Sequence, residues 1–226
     1  MIERYTNLQE PTNHALNIAS VTGSFKVLVA CEESQAITKE FRKLGVEAYS
    51  CDLQECSGDH PEWHLQTDVT ELLKLKWDLL IAHPPCTRLT IRAQYWNKIR
   101  NLENEKQEAI DFFLKLANAP VKHKAIENPI GIMSTIFRKP NQIIQPYEFG
   151  DTEQKATCLW TENLPKLQPT KIVEPIYKLT KNGKKLYFND KLPKNKERQK
   201  LRSKTFPGIA KAIAEQYTAF LSQIYR

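Results

Sequence analysis

The chain has 226 residues, 41% hydrophobic and 26% charged, which is enough to bury a sizeable core and argues against disorder; the length fits one domain or one with a small appendage. Thirteen of the 33 basic residues but only three of the 26 acidic ones lie between Lys166 and Lys204, so the net charge of +7 belongs to one flank and the rest is close to neutral. No internal repeat supports a solenoid, no run reaches the roughly 18 to 20 apolar residues of a membrane span, and Met1-Ile2-Glu3-Arg4 is no charged-then-apolar leader; the expectation is a cytoplasmic protein with no membrane partner.

Residues 1–24 are polar, without a clear period, and read as an arm preceding a domain at 25–226. Phe25 to Ala30 is a short apolar run suited to a buried parallel strand. Ser34 to Leu44 follows with Ala36, Ile37, Phe41 and Leu44 on one helical face, and Gly45 stands where a helix stops. Val46 to Asp52 predicts a second strand, Leu65 to Val69 a short third, and Trp77 to Ala82 a fourth that ends at His83-Pro84-Pro85. A helix over Glu103–Ala117 turns Ile110, Phe113, Leu114 and Ala117 inward, and Lys124 to Ile126 is a further strand running into Glu127-Asn128-Pro129. The alternation predicts an α/β fold with a doubly wound, mostly parallel, Rossmann-like sheet in 3-2-1-4-5 order.

Asn141 to Pro169 is rich in aromatic and β-branched residues and adds antiparallel strands. The segment 161–205 is a short basic insertion suited to phosphate-backbone contact, with a solvated surface loop as the plainer alternative. Ile209 to Tyr225 closes the chain as an amphipathic helix with Ile213, Tyr217, Phe220 and Ile224 on one face.

In such a sheet ligands bind beyond the carboxyl ends of the strands, near the point where strand order reverses. The loops after the first and fourth strands, Cys31 to Gln35 and His83 to Thr87, then lie side by side. The five cysteines, Cys31, Cys51, Cys56, Cys86 and Cys158, are odd in number and contain no CxxC pair, so they read as thiols rather than a disulfide framework. Pro84 and Pro85 fix the backbone before Cys86, a rigid mount for a nucleophile that attacks a ring carbon. A buried loop cysteine is the alternative. Forty-one residues further on, Glu127 ends the next strand on the same rim, where it can protonate or hydrogen-bond a ring nitrogen beside the attacked carbon. Tyr95-Trp96, following Arg88 and Arg92, can stack on a base or pack as core. Cys51, Cys56, His60 and His64 have spacings close to a structural zinc set, but Pro61 interrupts a helix that would present both histidines, and no metal is expected.

The ordered set Val27 to Ser34, Ala48 to Leu53, Thr67 to Val69, Asp78 to Thr87, Ile126 to Pro129 and Arg202 to Ala210 resembles the DNA cytosine-C5 methyltransferase family, in particular its compact, phage-type members. The resemblance implies transfer of a methyl group from S-adenosylmethionine to cytosine C5 in DNA, with Cys86 as nucleophile on C6 and Glu127 at N3. It implies a cofactor site at Ala30, Cys31, Glu32, Ser34, Asp52, Asp68 and Pro85, with Asp52 at the ribose and Asp68 at the adenine. Substrate contacts fall to Pro84, Thr87, Arg88, Asn128, Lys155, Arg202 and Lys204, and a duplex would have to flip its target base.

Three departures stand out. The first loop has no glycine, whereas the family's is glycine-rich. Some 40 residues between Trp160 and Leu201 are too few for the usual target-recognition domain, leaving sequence specificity low or supplied by a partner protein. The family's arginine motif after the sixth strand has no clean counterpart in Gly150 to Trp160, where Lys155 is the only cation. Two further readings stay open: the same chemistry on a nucleotide or single strand, and a degenerate DNA-binding protein that interferes with host modification or restriction.

Overall fold

The computed structural model describes residues 25–183, 185–187 and 204–225, so the expected arm at 1–24 and residues 188–203 of the basic segment lie outside the described residues. The apolar runs become five parallel strands: β1 (Lys26–Ala30), β2 (Glu47–Asp52), β3 (His64–Gln66), β4 (Leu79–Ala82) and β5 (His123–Pro129). Two antiparallel strands, β6 (Gln142–Ile144) and β7 (Thr157–Glu162), complete a seven-stranded sheet in the order β3-β2-β1-β4-β5-β7-β6. The parallel part has the expected 3-2-1-4-5 order, and the whole is a Rossmann-like α/β fold. A separate hairpin pairs β8 (Tyr177–Leu179) with β9 (Lys185–Tyr187).

Six α-helices are described: α1 (Ala36–Lys43), α2 (Val69–Leu72), α3 (Ile91–Ile99), α4 (Glu103–Ala117), α5 (Met133–Ile136) and α6 (Pro207–Ile224). Side chains alternate across the sheet, so β1 and β4 feed two cores. Val27, Val29, Leu79 and Ile81 pack with Ile37 and Phe41 of α1 and Ile213, Tyr217 and Leu221 of α6. Leu28, Ala30, Leu80 and Ala82 pack on the other side with Phe113 and Leu116 of α4 and with Trp160. Among the described residues no helix is long and apolar enough to cross a membrane.

Several sequence expectations shift. The third strand was expected over Leu65 to Val69, but β3 covers His64–Gln66 because the Asp68 carboxylate accepts from the Thr70 amide and starts α2. Leu116 rather than Leu114 fills the core beneath α4, and Ile224 at the end of α6 is exposed while Leu221 is buried. Helix α3 was not anticipated as an element, since it buries only Ala93 and Asn97.

Candidate active site

Parallel register pairs Ala82 of β4 with Ile126 of β5, which sets His83, just past the end of β4, beside Glu127; the strand expected to stop at Ile126 runs on to Pro129 because Glu127 to Pro129 pair with Leu159 to Thr157 of β7. Three contacts fix the loop that follows β4. The His83 amide donates to the Ala30 carbonyl at 3.0 Å, binding this loop to the end of β1. Asn128 Nδ2 donates to the Pro84 carbonyl at 2.8 Å in a buried bond. The Cys86 carbonyl accepts from the amides of Leu89 (3.0 Å) and Thr90 (3.3 Å), turning the chain into α3. Cys86 is half-buried behind exposed Pro85 and ahead of exposed Thr87, and none of the five cysteines is in a disulfide.

The loop is also held from the far side. The Ile132 amide donates to the Leu89 carbonyl at 2.9 Å, and Thr90 bridges to Gly131. A side chain at position 131 would strike the Leu89 carbonyl oxygen, so this approach requires glycine.

Glu127 lies against His83, with Nδ1 to Oε2 at 3.2 Å and only 19% of the Glu127 side chain exposed. Burial pushes the Glu127 carboxyl up, but the His83 hydrogen bond, the Lys155 ammonium and the Thr157 hydroxyl outweigh it and hold the group below its ordinary value. The site therefore keeps Glu127 ionised near neutrality, an acceptor rather than a donor of protons. Lys155, expected to face a base or phosphate, has its charge close to Glu127 and its Nζ 5.8 Å from the Phe206 ring centroid.

The glycine-less first loop takes the shape that glycine would allow. Cys31 (φ 61°) and Gln35 (φ 57°) both adopt the left-handed conformation. Gln35 is buried and exchanges two bonds with His60, its Nε2 donating to the His60 carbonyl at 2.7 Å and its Oε1 accepting from the His60 amide at 3.1 Å. Glu32, expected on the cofactor side, is buried instead: its carboxylate accepts from the Ile37 amide (2.6 Å), the Thr38 amide (3.2 Å) and the Thr38 hydroxyl (2.6 Å). It caps α1 from within the protein. Ala30 is buried as the last residue of β1, and Ser34 is half-buried in the turn.

Asp52 at the end of β2 and Asp68 at the start of α2 converge on Cys31. Burial, first, and the charges of Asp52, Cys51 and Asp68 push the Cys31 thiol far above its ordinary value, so it is no nucleophile. Asp52 Oδ1 accepts from the Gln54 amide at 2.9 Å, and Asp68 Oδ1 from the Thr70 amide at 2.8 Å. Two carboxylates beside a left-handed turn suit a ligand with hydroxyl and amine donors and a cationic centre, whereas the Glu32 carboxylate is turned into α1 and does not belong to this rim.

Lys204 is exposed ahead of α6, and Arg202 lies outside the described residues. Arg88 offers its carbonyl to Gln94 and Asn97 of α3. The zinc-like set is engaged elsewhere: the Cys51 thiol donates to the Thr67 carbonyl, His64 Nδ1 lies 2.9 Å from Ser50 Oγ, and His60 stacks on Trp63 at 3.7 Å. Among the described residues no three potential ligands gather. His83 and Thr157 had no assigned role in the sequence. The signal for His83 was its place at a strand end directly before two prolines.

No family model and no curated protein matches the chain. Among solved structures, it is similar to an Escherichia coli prophage-encoded protein whose name describes a DNA modification methyltransferase (14% identity, TM-score 0.45, 67% of this chain and 52% of that one). It is also similar to the Entamoeba histolytica methyltransferase EhMeth (12% identity, TM-score 0.49, 66% of this chain and 58% of that one). The chain thus spans a little over half the length of these two structures.

Proposed function

We propose that this protein is a methyltransferase that modifies C5 of cytosine in DNA through a covalent adduct with Cys86. The observation that carries the reading is the joined rim of β4 and β5, where the Cys86 loop and ionised Glu127 are locked together by the His83 to Glu127 and Asn128 to Pro84 hydrogen bonds. A thiol on a rigid turn beside a carboxylate suits addition to an electron-poor ring that carries an amine.

Cys86 Sγ, as the thiolate, forms a bond to C6, and the ring's electron pair moves onto C5. Glu127 accepts a hydrogen bond from the exocyclic amine; N3 takes a proton from solvent as the adduct forms, and Glu127 accepts from the resulting N3–H, stabilising the adduct. His83 and Lys155 keep Glu127 ionised and aimed. S-adenosylmethionine, held by Asp52, Asp68 and the turn at Cys31, would supply an electrophilic methyl group on a sulfonium. Loss of the C5 proton to solvent water then restores the double bond and expels the Cys86 thiolate, and N3 returns its proton to solvent.

The test is mass spectrometry of nucleosides from the DNA of cells that lack their own cytosine methylation and express either the wild-type protein or Cys86→Ala. 5-Methylcytosine with the wild type alone is the expected result. Methylation that survives Cys86→Ala would overturn the covalent mechanism, and none in either strain would overturn the activity.

A further inference from the structure

Helix α3 inverts the usual arrangement of a surface helix. It turns Ile91 (66% exposed), Tyr95 (64%), Trp96 (46%) and Ile99 (55%) to solvent, while Ala93 and Asn97 are its buried residues. Polar bonds rather than apolar packing hold it. Gln94 Nε2 donates to the carbonyls of Arg88 (2.9 Å) and Thr90 (3.0 Å), and Asn97 Nδ2 to that of Arg88 (3.0 Å). Since Cys86 accepts from Thr90, and Thr90 caps α3 by accepting from the Ala93 amide, the exposed strip is rigidly tied to the nucleophile's loop.

The chemistry of the strip is specific. From Leu79 to Leu102 there is no acidic residue, whereas Arg88, Arg92, Lys98 and Arg100 are all cationic. Tyr95 and Trp96 meet edge to face with centroids 5.2 Å apart, and the Arg100 guanidinium stacks 5.0 Å from the Trp96 ring centroid.

We infer that α3 is a stacking platform for unpaired bases, and that the protein engages its target in single-stranded nucleic acid. The inference rests on the nucleic-acid reading of the Cys86 site and narrows its substrate class. Exposed aromatics flanked by cations bind single strands because every base has a face to stack and every nucleotide a phosphate to neutralise. A duplex keeps its bases stacked within a phosphate sheath and would leave the Ile91, Tyr95 and Ile99 strip wet. A lone nucleotide is too small for it: nine helical residues run about 13.5 Å, room for about three or four stacked bases at roughly 3.4 Å each.

The experiment is fluorescence anisotropy with the full chain, without methyl donor, using a labelled cytosine-containing single strand of about 12 nucleotides and the matching duplex. Wild type should prefer the single strand, and Tyr95→Ala/Trp96→Ala should weaken that binding about tenfold or more while changing duplex binding little. The two side chains are exposed, so circular dichroism and melting should match wild type. Wild-type affinity of the double variant for the single strand, a preference for duplex, or no binding to either probe overturns the inference. So does a dimer in sedimentation that the double variant loses while nucleic-acid binding is unchanged, since a second copy would then cover the strip. If the binding pattern holds while the single-stranded probe incubated with S-adenosylmethionine gains no 5-methylcytosine, the methyl-transfer reading fails and the platform stands; if that cytosine is methylated but the double variant binds normally, the reverse is true.

Discussion

His83 Nδ1 and Glu127 Oε2 stand 3.2 Å apart, the first just past the end of β4 and the second within the neighbouring parallel strand β5, and the loop bearing Cys86 starts at the first of these residues. The imidazole also lowers the pKa of Glu32, whose carboxyl is raised overall by burial, so His83 influences two buried carboxylates at once. Position 83 therefore couples the electrostatics of the first loop to those of the site.

His83→Ala should raise the pKa of Glu127 by removing both a hydrogen bond and a charge influence. The acid limb of the pH profile of methyl transfer should then move to higher pH, with kcat falling more than KM rises. An unshifted acid limb would separate Glu127 from the reaction.

Glu127 also makes stability depend on pH in a defined direction. Its folded-state pKa lies below the ordinary 4.5, so the unfolded chain takes up the proton first. The contribution is complete above that ordinary value and is lost as pH falls through the folded one. Melting curves between about pH 5 and about pH 3 should fall less steeply for Glu127→Gln than for wild type.

Asn128→Ala should leave the Pro84 carbonyl buried without its donor, at about 1 to 3 kcal/mol. Urea unfolding measures the loss. A change within error would mean that the Cys86 loop does not need this tie.

Glu32→Ala should expose α1 to fraying, because three donors from Ile37 and Thr38 lose their acceptor; about 1 to 2 kcal/mol is expected, again by urea unfolding. Gly131→Ala should push the Leu89 carbonyl away and displace the Cys86 loop, lowering turnover about tenfold or more.

The strand order and the long helices were legible because buried parallel strands read as apolar runs and core-facing helices carry a stripe. The helix expected over Glu103–Ala117 has those bounds, and α6 differs from its expected span by two residues at the start and one at the end. Helix α3 was not legible: a helix that shows its apolar side chains to solvent and is held by Asn97 and Gln94 carries no inward stripe to detect. The first loop misled for a related reason. Its composition excludes glycine, but left-handed backbone can also be held by tertiary bonds, as the paired contacts of Gln35 with His60 show. Glu32 was placed on the cofactor side by the family resemblance of the first loop as a whole; its role as a buried helix cap depends on the separation between β1 and α1, which no local pattern encodes.

The sheet ends on both sides in three-residue strands, β3 and β6, and the Gln142 amide on β6 is bonded twice to the backbone of Leu167, at 2.8 Å and 2.9 Å. A foreign strand arriving at either border would find few amides and carbonyls to zip onto, so even a concentrated solution of the folded protein should resist edge-to-edge fibre growth.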